Sequence, residues 1–240
     1  MGQIANQMAV EGIYKVKDKI DKSKNGKLIL VIVLAVISSV FTALLFTVDR
    51  QAIGPNGSVV GLATINAAVR DKVGLNLTWD KISDVAMILA VVTALSFAVI
   101  GLIQLIKRKS IKKVDKLILI LATVYVIIAC VYIVFDMLVV VNYRPFLLPD
   151  ETELEASFPS SHVLVIFTIM STAITAWDKL FSEKRVFINI LRLVSILVMA
   201  VAVASRVLSG VHWFTDIAGA LLYSCVIISL FDFAIDKFKA

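Results

Sequence analysis

The chain of 240 residues contains two histidines, and each stands among groups that suit proton and phosphoryl transfer. His162 follows Pro159, Ser160 and Ser161. His212 is preceded by Ser205 and Arg206 and followed by Asp216, while Arg144 stands further upstream beside Pro145. A neutral imidazole is a nucleophile near pH 7, and a second imidazole can supply or accept the proton. A carboxylate beside an imidazole fixes its tautomer and stabilises its cation. His212 and Asp216, at i and i+4, are expected to share one helical face. Arg144 and Arg206 suit planar recognition of phosphate oxygens. The Pro159–His162 segment precedes an apolar run, so it is expected at a helix N-terminus, where free N–H groups favour an anion. Each feature also has an ordinary explanation. His212 and Asp216 suit an interfacial hydrogen-bonded pair, Ser160 a helix cap, and the arginines anchors reaching for headgroups. What argues for chemistry is their arrival at one place, and that depends on the elements carrying them.

Those elements belong in a bilayer. The chain is 60% hydrophobic and 18% charged, with a mean hydropathy of +0.94. Soluble domains run nearer 45–50% apolar with about 25% charged. Disorder, a disulfide scaffold and low complexity are excluded by the same figures. The apolar residues fall in six blocks, 28–48, 82–106, 117–141, 163–177, 186–204 and 214–235, each expected to cross the membrane as a helix. The fold class is therefore all-α, a six-span bundle. The fourth block is short and carries Thr168, Ser171, Thr172 and Thr175, hydroxyls suited to helix contacts inside the bundle. Cys130 and Cys225 lie inside apolar blocks and read as packing residues.

Charge sets the orientation. Eighteen of the 24 Lys and Arg fall in the leader, the second–third and fourth–fifth connections (Arg192 just inside the fifth span) and the C-terminal tail. The positive-inside rule then puts both termini in the cytoplasm and loops 49–81, 142–162 and 205–213 outside. All the candidate residues lie on that outer side. Basic charge patterned this way reads as topology and anionic lipid headgroups, and no nucleic-acid partner is indicated. Residues 1–27 form a basic leader in which Ile4, Met8, Ile13, Val16 and Ile20 suit an interfacial helix; a disordered tail fits as well. Residues 28–240 are expected to form one membrane domain. Its outer loop 49–81 carries a Gly54–Gly57 turn and a stretch, 59–69, suited to a surface helix.

Arg144-Pro145, then Pro159-Ser160-Ser161-His162, then Ser205-Arg206 with His212 and Asp216 resemble the three signature motifs of the type-2 phosphatidic acid phosphatase superfamily. Those patterns are K-x6-R-P, P-S-G-H and S-R-x5-H-x3-D. The third matches at every fixed position, Ser161 replaces glycine in the second, and Met137 stands where the first has lysine. The resemblance implies an integral-membrane lipid phosphatase with no cofactor and no metal, working through a phosphohistidine at the outer face of the cell membrane. It implies His212 as nucleophile, Asp216 as its orienter and His162 as acid. Arg144, Arg206, Ser160 and Ser161 are implied to hold the phosphoryl oxygens. The substrate class is a lipid phosphate, of the undecaprenyl pyrophosphate, phosphatidylglycerol phosphate or phosphatidic acid type. As a helical continuation, Met137 would lie two turns below Arg144, about 10 Å deeper.

Two other readings remain open from sequence. A transporter or channel with a polar outer vestibule would place ionisable groups at mid-membrane, where Asp136, Arg192 and Asp232 are the candidates. A family member that binds lipid phosphate with degraded catalysis would fit the missing lysine. Acidic Asp150, Glu151, Glu153 and Glu155 beside the site are expected to disfavour highly anionic soluble substrates.

Overall fold

The computed structural model describes residues 2–147 and 153–239, with side chains from residue 25 onward. The leader's apolar positions and the acidic pair Asp150 and Glu151 lie outside the described side chains. Seven α-helices account for the described residues: α1 Gly2–Thr47, α2 Ala63–Val73, α3 Leu77–Arg108, α4 Lys116–Ile133, α5 Ser161–Leu180, α6 Arg185–Ser209 and α7 Phe214–Phe238. Six stretches are long and apolar enough to cross a membrane, 25–47, 77–108, 116–138, 161–180, 185–209 and 214–238. They correspond one to one with the six expected blocks. Helix α2 is the helix of loop 49–81, shifted a few residues beyond the stretch that suggested it. Helix α1 runs from the leader into the first span without a break.

Helix starts follow local chemistry. Asn76 and Asp115 cap α3 and α4, accepting from the Thr78 and Leu117 N–H groups at 3.1 and 3.0 Å. Helix α6 ends at Gly210, whose φ of +70° suits glycine. A side chain there would also collide with the Gly74 carbonyl. The Asn76 N–H donates to the Ser209 carbonyl at 2.8 Å, so this close approach ties the end of α6 to the start of α3.

Helix α5 is the centre of the bundle. Over half of its span is buried, more than in any other span, and it packs against α3, α6 and α7. Its hydroxyls face protein as expected, with Thr168 and Thr172 fully buried. Ser171 donates to the Met199 sulfur at 3.1 Å, and Ser224 on α7 donates to the Leu164 carbonyl at 3.4 Å. Most apolar residues of α1, α3 and α6 face outward, the surface a bilayer covers.

One element departs from expectation. The third apolar block extends to Val141, but α4 stops at Ile133, passes through a π-helical turn at Val134–Leu138, and leaves as extended chain. Residues 142–144 then pair with 155–157 as a short antiparallel clip. The Arg144 N–H donates to the Glu155 carbonyl at 3.0 Å, and the Ser157 N–H to Asn142 at 2.9 Å. Pro145 disfavours helix at Arg144, and the clip satisfies the backbone that leaves the helix. Met137 is consequently not two helical turns below Arg144. It stands in the π turn, 69% exposed.

Candidate active site

The outer ends of α3, α5, α6 and α7, with the clip, converge on one end of the bundle. His212 stands two residues before α7, not on it, so the expected shared helical face is replaced by a different geometry. Asp216 lies in the first turn of α7 and its Oδ2 accepts the Trp213 backbone N–H at 3.0 Å, closing the helix start. That same oxygen is 3.6 Å from His212 Nδ1, just beyond hydrogen-bond reach, a looseness usual for catalytic contacts without substrate. The other oxygen, Oδ1, accepts from Asn142 Nδ2 at 3.0 Å. Asp216 is fully buried and held from two elements, with its carboxylate set against the imidazole.

Neither ring nitrogen of His212 has a hydrogen-bond partner among the described residues. Burial pushes this imidazole below its ordinary range near 6.5; Arg206 and Arg144 add in the same direction, while Asp216 pulls the other way. The neutral, nucleophilic form is therefore the favoured one. With Nδ1 turned to Asp216, Nε2 is the nitrogen left for bond formation.

The Pro159–His162 segment sits directly beside this pair. The Ser160 N–H donates to the Asp216 carbonyl at 3.1 Å, and Ser160 is the cap residue of α5. Its hydroxyl makes no capping bond and is buried without a partner. Capping therefore does not explain this serine. Beneath it, Phe135, Phe158 and Tyr223 form an aromatic cluster with ring centroids 5.3 to 6.3 Å apart. Phe158 packs so closely on Gly219 that any larger residue there would meet its ring.

Arg206, only 2% exposed, donates from one terminal nitrogen to Asp80 and from the other to His162 Nδ1 at 2.8 Å. His162 Nε2 lies 2.9 Å from Asp84 Oδ1. Arg144 pairs with Glu155 at 2.8 Å. A cavity of about 80 Å³ opens between the π turn, the clip and the start of α5, with Arg144, Ser161, His212, Asp136 and Glu155 on its wall. All seven residues expected from sequence thus lie at this end of the bundle. Asp136, without an assigned partner from sequence, lines the cavity and bonds to the Tyr132 hydroxyl.

Sequence reasoning missed four contributors. Asp80 and Asp84 come from the start of α3, Asn142 from the clip, and Asn66 from α2, where it receives the Thr215 N–H at 3.1 Å and so caps α7. A trace of Asp84 was visible, since a carboxylate inside the expected span 82–106 is costly without a partner. Among the described residues, no three His, Cys, Asp or Glu side chains are grouped to hold a metal ion.

Residues 138–232 match the family model of the PAP2 superfamily. The matched stretch contains Arg144, Ser160, Ser161, His162, Arg206, His212 and Asp216, and begins just after Met137; Asp80 and Asp84 lie outside it. Among solved structures, the chain is similar to a transmembrane PAP2-type phosphatidylglycerolphosphate phosphatase from Bacillus subtilis. Identity is 19% and the TM-score 0.56, with 85% of this chain and 94% of that chain covered. A likeness at that identity is one of fold, and it extends over most of both chains. No curated protein sequence matches.

Proposed function

We propose that the protein is an integral-membrane lipid phosphatase. Its substrate is a lipid phosphate monoester or pyrophosphate, of the undecaprenyl pyrophosphate, phosphatidylglycerol phosphate or phosphatidic acid type. The observation that carries this reading is the set of contacts at one end of the bundle: Arg206 bonds to His162, Asp216 stands behind His212, and His212 shares a cavity with Arg144 and Ser161. His212 Nε2 attacks phosphorus, and Asp216 orients the ring and stabilises the cation that develops. His162 protonates the leaving oxygen and later activates water. The guanidiniums, the Ser160 and Ser161 segment and the unbonded N–H groups opening α5 neutralise the phosphoryl oxygens. Phosphoryl transfer depends chiefly on positioning and charge, and these groups supply both, so no metal or other cofactor is required.

The basic connections argue for an outer-face site, with residues 28–240 as one catalytic unit and leader 1–27 on the inner side. A lipid can then keep its tails in the bilayer while its headgroup enters between the end of α4, the clip and α5. Nothing favours the transporter reading in particular. Asp136 sits in the π turn at an end of its span, and Arg192 pairs with Asp178 at 2.7 Å near the opposite end.

Purified protein in detergent, given the three lipid phosphates in turn, is expected to release phosphate with and without excess EDTA. A rapid acid-free quench with labelled substrate is expected to leave label on the parent protein and none on His212→Asn. Phosphate release that stops with EDTA and returns with a divalent cation would overturn the metal-independent reading; equal labelling of both proteins would overturn the nucleophile.

A further inference from the structure

Helix α3 contributes two carboxylates to the site one turn apart, and they close a ring. Asp80 receives one terminal nitrogen of Arg206, the other terminal nitrogen donates to His162 Nδ1 at 2.8 Å, and His162 Nε2 returns to Asp84 at 2.9 Å. The ring settles where the imidazole proton sits. A guanidinium has donors and no acceptor, so Nδ1, which receives from Arg206, must present its lone pair. The proton of the neutral ring is therefore on Nε2 and donates to Asp84. The other titratable group acting on His162 is His212, in the loop before α7.

We propose that Asp84 is the positioning residue of the general acid: it holds His162 through Nε2 and leaves Nδ1 as the nitrogen that exchanges protons with the substrate. The inference rests on the reading of His162 as acid. It makes the site a pair of Asp–His couples, Asp216 behind the nucleophile and Asp84 behind the acid.

The steps balance. A phosphate ester entering as its monoanion draws the Arg206 nitrogen from Nδ1 and passes its own proton to that nitrogen, so that His162 becomes the cation with a proton on each nitrogen. As His212 Nε2 bonds to phosphorus and the ester P–O bond breaks, the leaving oxygen keeps the bonding pair and takes the proton from Nδ1. His162 returns to its neutral form with its remaining proton on Nε2 toward Asp84. In the second half, water bonds to phosphorus and the N–P bond breaks with its pair returning to His212. The water proton passes to His162 Nδ1, restoring the cation. Asp84 keeps its charge throughout and fixes ring orientation and tautomer, the role a triad carboxylate has for its imidazole.

The test uses leaving groups. Alkoxide departure from a phosphatidic acid needs a proton, whereas p-nitrophenolate departure does not, so loss of a general acid is felt on the first ester and little on the second. For Asp84→Asn, the single-turnover rate of leaving-group release, which precedes the water step shared by both esters, is expected to fall about 100-fold for dioleoyl phosphatidic acid and less than about threefold for p-nitrophenyl phosphate. KM should be nearly unchanged on both, and Asp84→Glu should recover part of the loss. His162→Ala is the reference: if its single-turnover leaving-group release slows equally on both esters, the acid reading falls and this inference with it. If His162→Ala discriminates between the esters and Asp84→Asn does not, the inference alone is overturned. The full chain has two histidines, so 15N-histidine labelling in detergent resolves both rings. The His162 resonances are expected to report a proton on Nε2 in the parent protein; a proton on Nδ1 overturns the proposal even if the Asp84 variants do not fold.

Discussion

At the scale of single residues, His212 is the most exacting position. His212→Asn is expected to lower phosphate release by about 10³-fold or more while the melting temperature stays close to the parent's. Burial also fixes a pH signature. Because the imidazole is held below its ordinary range, it stays in the nucleophilic form as pH falls through about 6.5. The acid limb of kcat/KM belonging to His212 should therefore lie below that pH, and a limb above it would contradict the assignment. Asn142 gives a third test. Its amide holds Asp216 Oδ1 at 3.0 Å, a charge-assisted bond worth about 1.5–3 kcal/mol. Asn142→Ala is expected to lower both kcat and the melting temperature, and a drop in temperature alone would mean the carboxylate keeps its aim without it. The seven motif residues were legible because they are polar groups at the mouths of apolar blocks, where lipid gives no reason for them. Asn142 and Asp80 were not, since an asparagine or aspartate near a loop announces nothing until its partner is known.

Elements were legible to a different degree. Six blocks of apolar residues became six spans because helix is the form that satisfies a lone segment's backbone in lipid. The hydroxyl-bearing fourth block became the central α5 for the reason its composition suggested. The end of α4 was illegible. Val139, Val140 and Val141 continue the apolar run, yet the backbone there belongs to the clip that carries Asn142 and Arg144, a pairing with residues over ten positions away. His212 was misplaced onto a helix for a similar reason: the helix start is set by Asp216 closing on Trp213 and by Asn66 capping from α2. Asn66→Ala is accordingly expected to cost about 1 kcal/mol through lost capping, visible as a lower melting temperature. Gly219→Ala tests the packing between α7 and the Pro159 segment. A methyl there meets the Phe158 ring, so overpacking of about 1–3 kcal/mol is expected. Activity should fall more than stability alone explains, because Phe158 leads directly into Ser160. An unchanged kcat would show that the segment yields without moving the site.

Taken as one molecule, the bundle has a polar end that holds the proposed site and a basic end tied by Lys27–Asp236 at 2.6 Å and by Lys116 donating to the Phe238 carbonyl at 3.0 Å. The proposed orientation puts the first outside. In a variant lacking Cys130 and Cys225, a cysteine at exposed Glu153 is expected to react with an impermeant thiol reagent added to intact cells, and one at exposed Lys109 is not. The reverse pattern would turn the site toward the cytoplasm.

The resting pairs Arg206–Asp80 and Arg144–Glu155 also bear on how a turnover ends. Each guanidinium already has a carboxylate of its own, so any phosphate must displace an internal anion before it is held. Inorganic phosphate, with no acyl chains to supplement its charge, has only that exchange to gain from. It should therefore be a weak product inhibitor, and departure of the product should be helped by the carboxylates closing behind it.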